Sequence, residues 1–332
     1  MGVNLLKTGI QTFFEKVPKP EYKKMGKMMK PIIEDRCGQL FTILTILLIA
    51  LMFVSFEIFS EFHENRAIKT RVSTMDSFLH SIEKNLERQL YIAGFRAIFL
   101  AENEITLTGK YISNITEFFE EAFYNGTVKG VPNNITLGAT YTDMINSVNS
   151  KGDKINVNIS MTNTSIEFKH NDPWNIRFTM ISDFIMQDKQ GLARWEKRQN
   201  ISVLLPIEGF EDPMFIKEAR ALVSRKINRT VYEGNYTDAG DVSNLKDHVN
   251  KEYYAANPNA PSFLNRLEGD FDIDINGIES FVYIPNLPSD LQNIGETCID
   301  YLYFGSGGAG TSVMGMQDWF RIDDAHKAKY QV

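Results

Sequence analysis

Asp272, Asp274, Asn276 and Gly277 reproduce the opening of a calcium loop, where alternate side-chain oxygens precede an obligatory tight turn. The twelfth position of such a loop is Tyr283 and not a bidentate glutamate, so Asp272, Asp274 and Asn276 are a weak metal candidate. Aspartates alternating with Phe271, Ile273 and Ile275 also describe a half-exposed strand entering a turn. The glycine-rich run 305–310 lacks the lysine that would reach a phosphate. Five histidines (His63, His80, His170, His248 and His326) are scattered without metal-ligand spacing, and neither a zinc-helix nor a nucleophile-elbow motif occurs. Cys298 and His326 have the side chains of a nucleophile and base pair, with no local sequence to support one. The expectation is therefore a protein without catalytic residues, resident metal or cofactor.

A second kind of chemistry is written more strongly. Asn-x-Ser/Thr sequons begin at Asn114, Asn125, Asn134, Asn158, Asn163, Asn200, Asn228 and Asn235. Residues 111–332 hold 22 asparagines, and at their serine and threonine content roughly two or three sequons arise by chance. The excess predicts a glycosylated surface, and hence a chain exported from the cytoplasm.

What would export it lies upstream. Residues 39–56 read QLFTILTILLIALMFVSF without a charge, and apolar character continues through Ile58 and Phe59. Such a length spans a bilayer. Lys19, Lys23, Lys24, Lys27, Lys30 and Arg36 precede the run, and Glu57, Glu61 and Glu64 follow it, so the positive-inside rule leaves the N-terminus in the cytoplasm. Every sequon follows the span, in agreement. Of the formal charge of −7, residues 1–38 contribute +4, leaving −11 for the remainder. An acidic body excludes nucleic acid as a partner, because phosphate contacts need a basic face. The two cysteines, Cys37 at the membrane edge and Cys298 far beyond it, cannot pair within one chain. Sequons without disulfides favour an archaeal cell surface.

The expected organisation is a cytoplasmic basic and amphipathic segment 1–38, a transmembrane helix 39–60, an extracellular helical stalk 61–110 and a glycosylated ectodomain 111–332. In the first segment Val3, Leu6, Ile10, Phe13, Phe14 and Val17 recur at helical spacing, as for a helix lying on the inner leaflet. In the stalk Ile68, Val72, Met75, Leu79, Ile82 and Leu86 form a heptad stripe, the seam of a helix–helix interface with either a second copy or the ectodomain folding back. Residues 106–109 should end this helix, and a shorter one should follow over 115–124. Period-two patterning then predicts strands at 155–161, 165–170, 176–187 and 201–207 in an antiparallel meander. Asp212 should cap a helix with Pro213 first and Phe215, Ala219, Leu222 and Val223 on its buried face. A surface-wandering segment is expected over 228–262, with more strands at 271–275, 280–284 and 297–304. The whole reads as an α+β fold led by one long helix.

Arg36-Cys37-Gly38-Gln39, followed directly by the apolar run, resembles the class III signal of archaeal type IV pilin-like proteins. The resemblance implies processing between Gly38 and Gln39, a hydrophobic helix that assembles with others, and a β-rich head outside. It departs from the family at the fifth residue after the cut, Ile43, where many pilins carry glutamate. The functional expectation is a single-span, N-in surface protein of structural role. Its partners would be the lipid bilayer and either further copies or another envelope protein. The alternative is a ligand-binding or adhesive receptor head working with a membrane partner.

Overall fold

The computed structural model describes residues 36–332 apart from Leu192 and Ser306. The amphipathic run Val3 to Val17 and the lysines after it fall outside the described residues. The described residues divide between Asn65 and Arg66 into two compact units, and helix α1 (Arg36–Thr108) contributes its residues 36–65 to the first and 66–108 to the second.

In the first unit α1 is apolar on every side. Each large hydrophobic residue from Leu40 to Phe62 is exposed, by 49% at Ile49 to 74% at Phe62. This helix is long and apolar enough to cross a membrane. Gly38 and Gln39 lie in its first turns.

In the second unit the same helix becomes a core element. Met75, Ile82, Leu86, Leu90, Ala97, Ile98, Ala101 and Ile105 are buried in one cluster with residues of a three-stranded sheet. Of the two covers expected for the stripe, residues of the head itself supply one, with the sheet as the partner surface. Met75, Ile82 and Leu86 are buried, Leu79 packs against the cluster, Ile68 is half-buried and Val72 is 37% exposed. The physical reason is that a heptad stripe specifies an apolar face and not what covers it. From Arg66 onward the helical stretch expected as a stalk over 61–110 falls in the same compact unit as the head. Gly94 sets the closest approach: a Cβ there would meet Leu205 Cδ1 and Phe178 Cδ1 at 2.6 Å. The helix ends where expected, at Thr108, with Gly109 at φ +63°.

α2 (Ile115–Asn125) buries Phe118, Phe119, Ala122 and Phe123 and closes on Gly126 in the left-handed conformation. A hairpin of β1 (Thr127–Val128) and β2 (Val131–Pro132) turns through Lys129 and Gly130, both at positive φ as a two-residue turn of this hand requires. α3 (Tyr141–Asp153) starts on a capping box between Thr140 and Asp143. The sheet follows as an antiparallel meander of β3 (Val157–Asp172), β4 (Asn175–Asp188) and β5 (Arg194–Pro206). The strands expected at 155–161 and 165–170 are one strand, interrupted by a register shift between Thr162 and Ser165 at which Asn163 adopts φ +51°. Ile176, Phe178, Met180, Phe184 and Met186 of β4 alternate inward, while the other face of the sheet meets solvent.

After the sheet, regular structure is short. Asp212 does cap α4 (Pro213–Glu218), its side chain accepting from the Met214 N–H. The helix stops before Leu222, which is 69% exposed, because Arg220 and Ala221 enter positive φ. The stretch 228–262 does not wander over the surface: it contains α5 (Ser243–Asn250) and buries Tyr236, Leu245, His248, Val249 and Tyr254. β6 (Ala255–Ala256), α6 (Phe263–Glu268) and β7 (Ile278–Glu279) come next, and β6 pairs with β7. Residues 271–275 form no strand, and 300–304, expected as strand, is α7 (Asp300–Phe304). β8 (Thr311–Ser312), β9 (Arg321–Ile322) and α8 (Asp324–Tyr330) complete a second buried cluster. The described residues therefore form a mixed α+β fold with a long N-terminal helix, as the pattern predicts.

Candidate functional site

Three features of the head carry polar chemistry: a buried charge network, two clefts and the sequon asparagines.

The network is centred on Arg266, wholly buried on α6. Its Nη1 donates to Asp212 Oδ2 at 2.6 Å and Asp300 Oδ2 at 2.9 Å, and Nη2 donates to the Ile278 carbonyl. Asp212 also accepts from the Tyr254 hydroxyl at 2.8 Å, and Asp300 from the Ser280 and Tyr301 N–H groups at 3.0 and 2.7 Å. Burial pushes the Asp300 carboxyl upward against the pull of Arg266. Beside it Glu279, also fully buried, receives His326 Nε2 at 3.1 Å, Lys329 Nζ at 2.6 Å and the Tyr330 hydroxyl at 2.8 Å. Burial works to raise the Glu279 carboxyl, but His326 and Lys329 outweigh it and hold it near about 2. Arg225 is a second fully buried guanidinium, stacked over Phe215 at 4.9 Å and paired with Glu252 at 2.6 Å.

Short helices and two-residue strands alone would not hold these loops. Arg266 ties α4, β7 and α7 together through directional bonds that a loose apolar core lacks. Asp212, Arg266, Asp300 and Glu279 are sealed from solvent, so the arrangement clamps the fold and offers no open reactive group. Cys298 and His326 do not form a pair. The thiol lies against the Trp319 carbonyl and the Arg321 N–H and is pushed up to about 11 by burial, while the His326 ring nitrogens engage Asp323 and Glu279. Sequence reading could not find the network, since its members are spread from Asp212 to Tyr330.

The calcium-like motif is a pair of self-contained turns: Asp270 Oδ1 accepts from the Asp272 N–H and Asp274 Oδ1 from the Asn276 N–H. Ile273 and Ile275 stand 70% and 80% exposed beside them. Among the described residues no group of three or more histidine, cysteine, aspartate or glutamate side chains could hold a metal ion.

Of the clefts, one of about 420 Å³ lies between Val242, Met314, Lys327 and Val332. Another, of about 460 Å³, opens between the end of α1, the start of α2 and the β1–β2 hairpin, and Asn114 is one of its walls. Both fall in the range of small-ligand sites, about 300–1,000 Å³.

All eight sequon asparagines are exposed. Among the described residues of 66–332, seven of the other sixteen asparagines are exposed, so exposure follows the sequon and not the residue type. Asn158, Asn163 and Asn200 share the solvent face of the sheet. Asn158 stands opposite Gln187, Asn200 stands opposite Ile181, and Asn163 donates to Asp183 at 2.8 Å from the bulge. Asn114 and Asn125 bracket α2, Asn134 opens a short 3-10 turn, and Asn228 and Asn235 lie on the loops before α5.

No family model, curated protein or solved structure matches the chain.

Proposed function

We propose that this chain is a single-span, N-in cell-surface protein with a structural role, anchored by α1 and presenting a glycosylated α+β head, in the layout of archaeal pilin-like proteins. The observation that carries the reading is the apolar length of α1 from Leu40 to Phe62, whose large hydrophobic side chains are all about half exposed or more. A soluble chain would leave that surface in water at roughly 25 cal/mol per Å², a cost that lipid or packing with further copies removes. Complete exposure of the sequons supports an extracellular head, because glycans attached there displace no packing. Gly38 and Gln39 at the head of α1 are the processing site in this reading.

Fractionation tests it. The full chain should stay with membranes through a carbonate wash, and protease added to intact cells should remove the large C-terminal portion. Extraction by carbonate, or digestion only after lysis, would overturn the proposal. N-terminal sequencing of the mature protein separates the two structural roles: Gln39 as the first residue establishes pilin-type processing, and an earlier start makes the protein an anchored surface subunit.

A further inference from the structure

Asn114 differs from the other sequon asparagines in what surrounds it. Its backbone is extended (φ −151°, ψ 100°), and its Oδ1 accepts from the Glu117 N–H at 3.1 Å as the N-cap of α2. Linkage of a saccharide uses Nδ2, which makes no hydrogen bond to other described residues, so glycosylation and capping are compatible at one side chain. The cap holds the amide in one orientation beside the 460 Å³ cleft that Asn114 lines.

Hydrogen bonds and one surface ion pair frame that cleft. Glu104 and Lys129 close one side as an ion pair at 2.8 Å. The Glu121 carboxylate fixes the hairpin by accepting from the Gly130 and Lys129 N–H groups at 2.6 and 3.0 Å and from the Thr127 hydroxyl at 2.7 Å. Tyr111 is held by its hydroxyl on Glu218 at 3.0 Å and by its edge contact with Phe271. Against this frame, the side chains of Lys110, Ser113 and Glu117 are exposed and make no hydrogen bond to other described residues. A sugar ring has an apolar C–H face and a rim of hydroxyls, and the wall of Tyr111, Ile112 and Phe118 with unengaged polar groups at the lip suits both.

We infer that the cleft beside Asn114 is the seat of the protein's own glycan: the saccharide on Asn114 folds back into it and becomes part of the head's structure, whereas those on the sheet face at Asn158 and Asn200 stand free in solvent. The inference rests on the surface-glycoprotein reading above. The glycan adds to the contacts among three pieces of chain, the end of α1, the start of α2 and the hairpin, where Glu121 ties α2 to the hairpin and the Glu104–Lys129 pair ties α1 to it.

To test it, the full chain is produced in a eukaryotic secretory host that attaches oligomannose glycans, purified in detergent, and digested natively with an endo-β-N-acetylglucosaminidase. Site-resolved mass spectrometry follows each glycopeptide. The Asn114 glycan should be released about tenfold more slowly than those on Asn158 and Asn200, and at the same rate after denaturation. Thr116→Ala removes the sequon but keeps Asn114 and its cap; it should lower Tm more than Ser160→Ala, which removes the sheet-face sequon at Asn158. Equal release rates, an unoccupied Asn114 among occupied sites, or equal Tm changes in the two variants would overturn the inference and leave the surface reading standing. Absence of glycan at every site would overturn both.

Discussion

The head has two cores built on different principles. The first packs α1, α2 and the long sheet through aliphatic and aromatic faces, with Phe168 and Phe178 stacked at 4.0 Å and Phe123 edge-on to Phe178 at 5.5 Å. The second, over 213–332, has two-residue strands and helices of eight residues or fewer, and it places Arg225, Arg266, Glu279 and Asp300 in its interior. Where backbone ladders and helix faces supply order, the interior is mostly apolar, its buried polar side chains including Ser182, Gln199 and Asp188, the last paired with Arg71. Where they are short, buried charges and their hydrogen bonds fix the loops, because each ion-pair bond is directional in a way that apolar contact is not.

The difference predicts opposite responses to similar changes. Arg266→Met strands Asp212 and Asp300 as buried, unpaired carboxylates and should destabilise the second core by about 3–5 kcal/mol, read from denaturant unfolding. Adding Asp212→Asn and Asp300→Asn to Arg266→Met should recover part of that loss. If the single change is as mild as a surface substitution, the clamp described for Arg266 is wrong.

Glu102 sharpens the comparison, since it places a carboxyl near Glu211 and Asp212, where the two cores meet. It is 5% exposed, its Oε1 has no partner, and burial, aided by Glu211, pushes it up to about 9. The folded state therefore holds a proton that the unfolded chain releases, and stability present at acid pH is lost as pH rises from about 4.5 toward 9. Glu102→Gln should raise stability at pH 7 by roughly 3 kcal/mol and flatten this part of the pH profile, measured by melts at pH 5 and 8. An unchanged profile would remove Glu102 from the account.

The smallest effect is expected in the first core. Gly94→Ala brings a methyl group to 2.6 Å of Leu205 and Phe178, and α1 must shift off the sheet. A cost of about 1–3 kcal/mol is expected, with no change in the pH profile, which distinguishes overpacking from electrostatic damage.

Much of the first core was legible in the chain. Periods of 3.5 and 2 are local properties, and they located α1, α2 and β4 to within a few residues but only the second half of β5, which begins at Arg194 and not at 201. The helix break at Gly109 and the cap at Asp212 were legible for the same reason. Part of the second core was misread because its strands and helices are too short to show a period. Thr297, Cys298 and Ile299 look like a strand, yet the chain enters α7 at Asp300, whose carboxylate faces Arg266.

By itself the sequence determined that residues 39–56 are apolar without a charge, and that eight asparagines after them carry the glycosylation triplet, since length, charge and triplets need no partner elsewhere. Only the tertiary structure decided that the heptad stripe is covered by the head's own sheet, that all eight asparagines are exposed, and that Arg266 meets Asp212 and Asp300. Burial and pairing depend on segments distant along the chain, and no local pattern encodes which of them will meet.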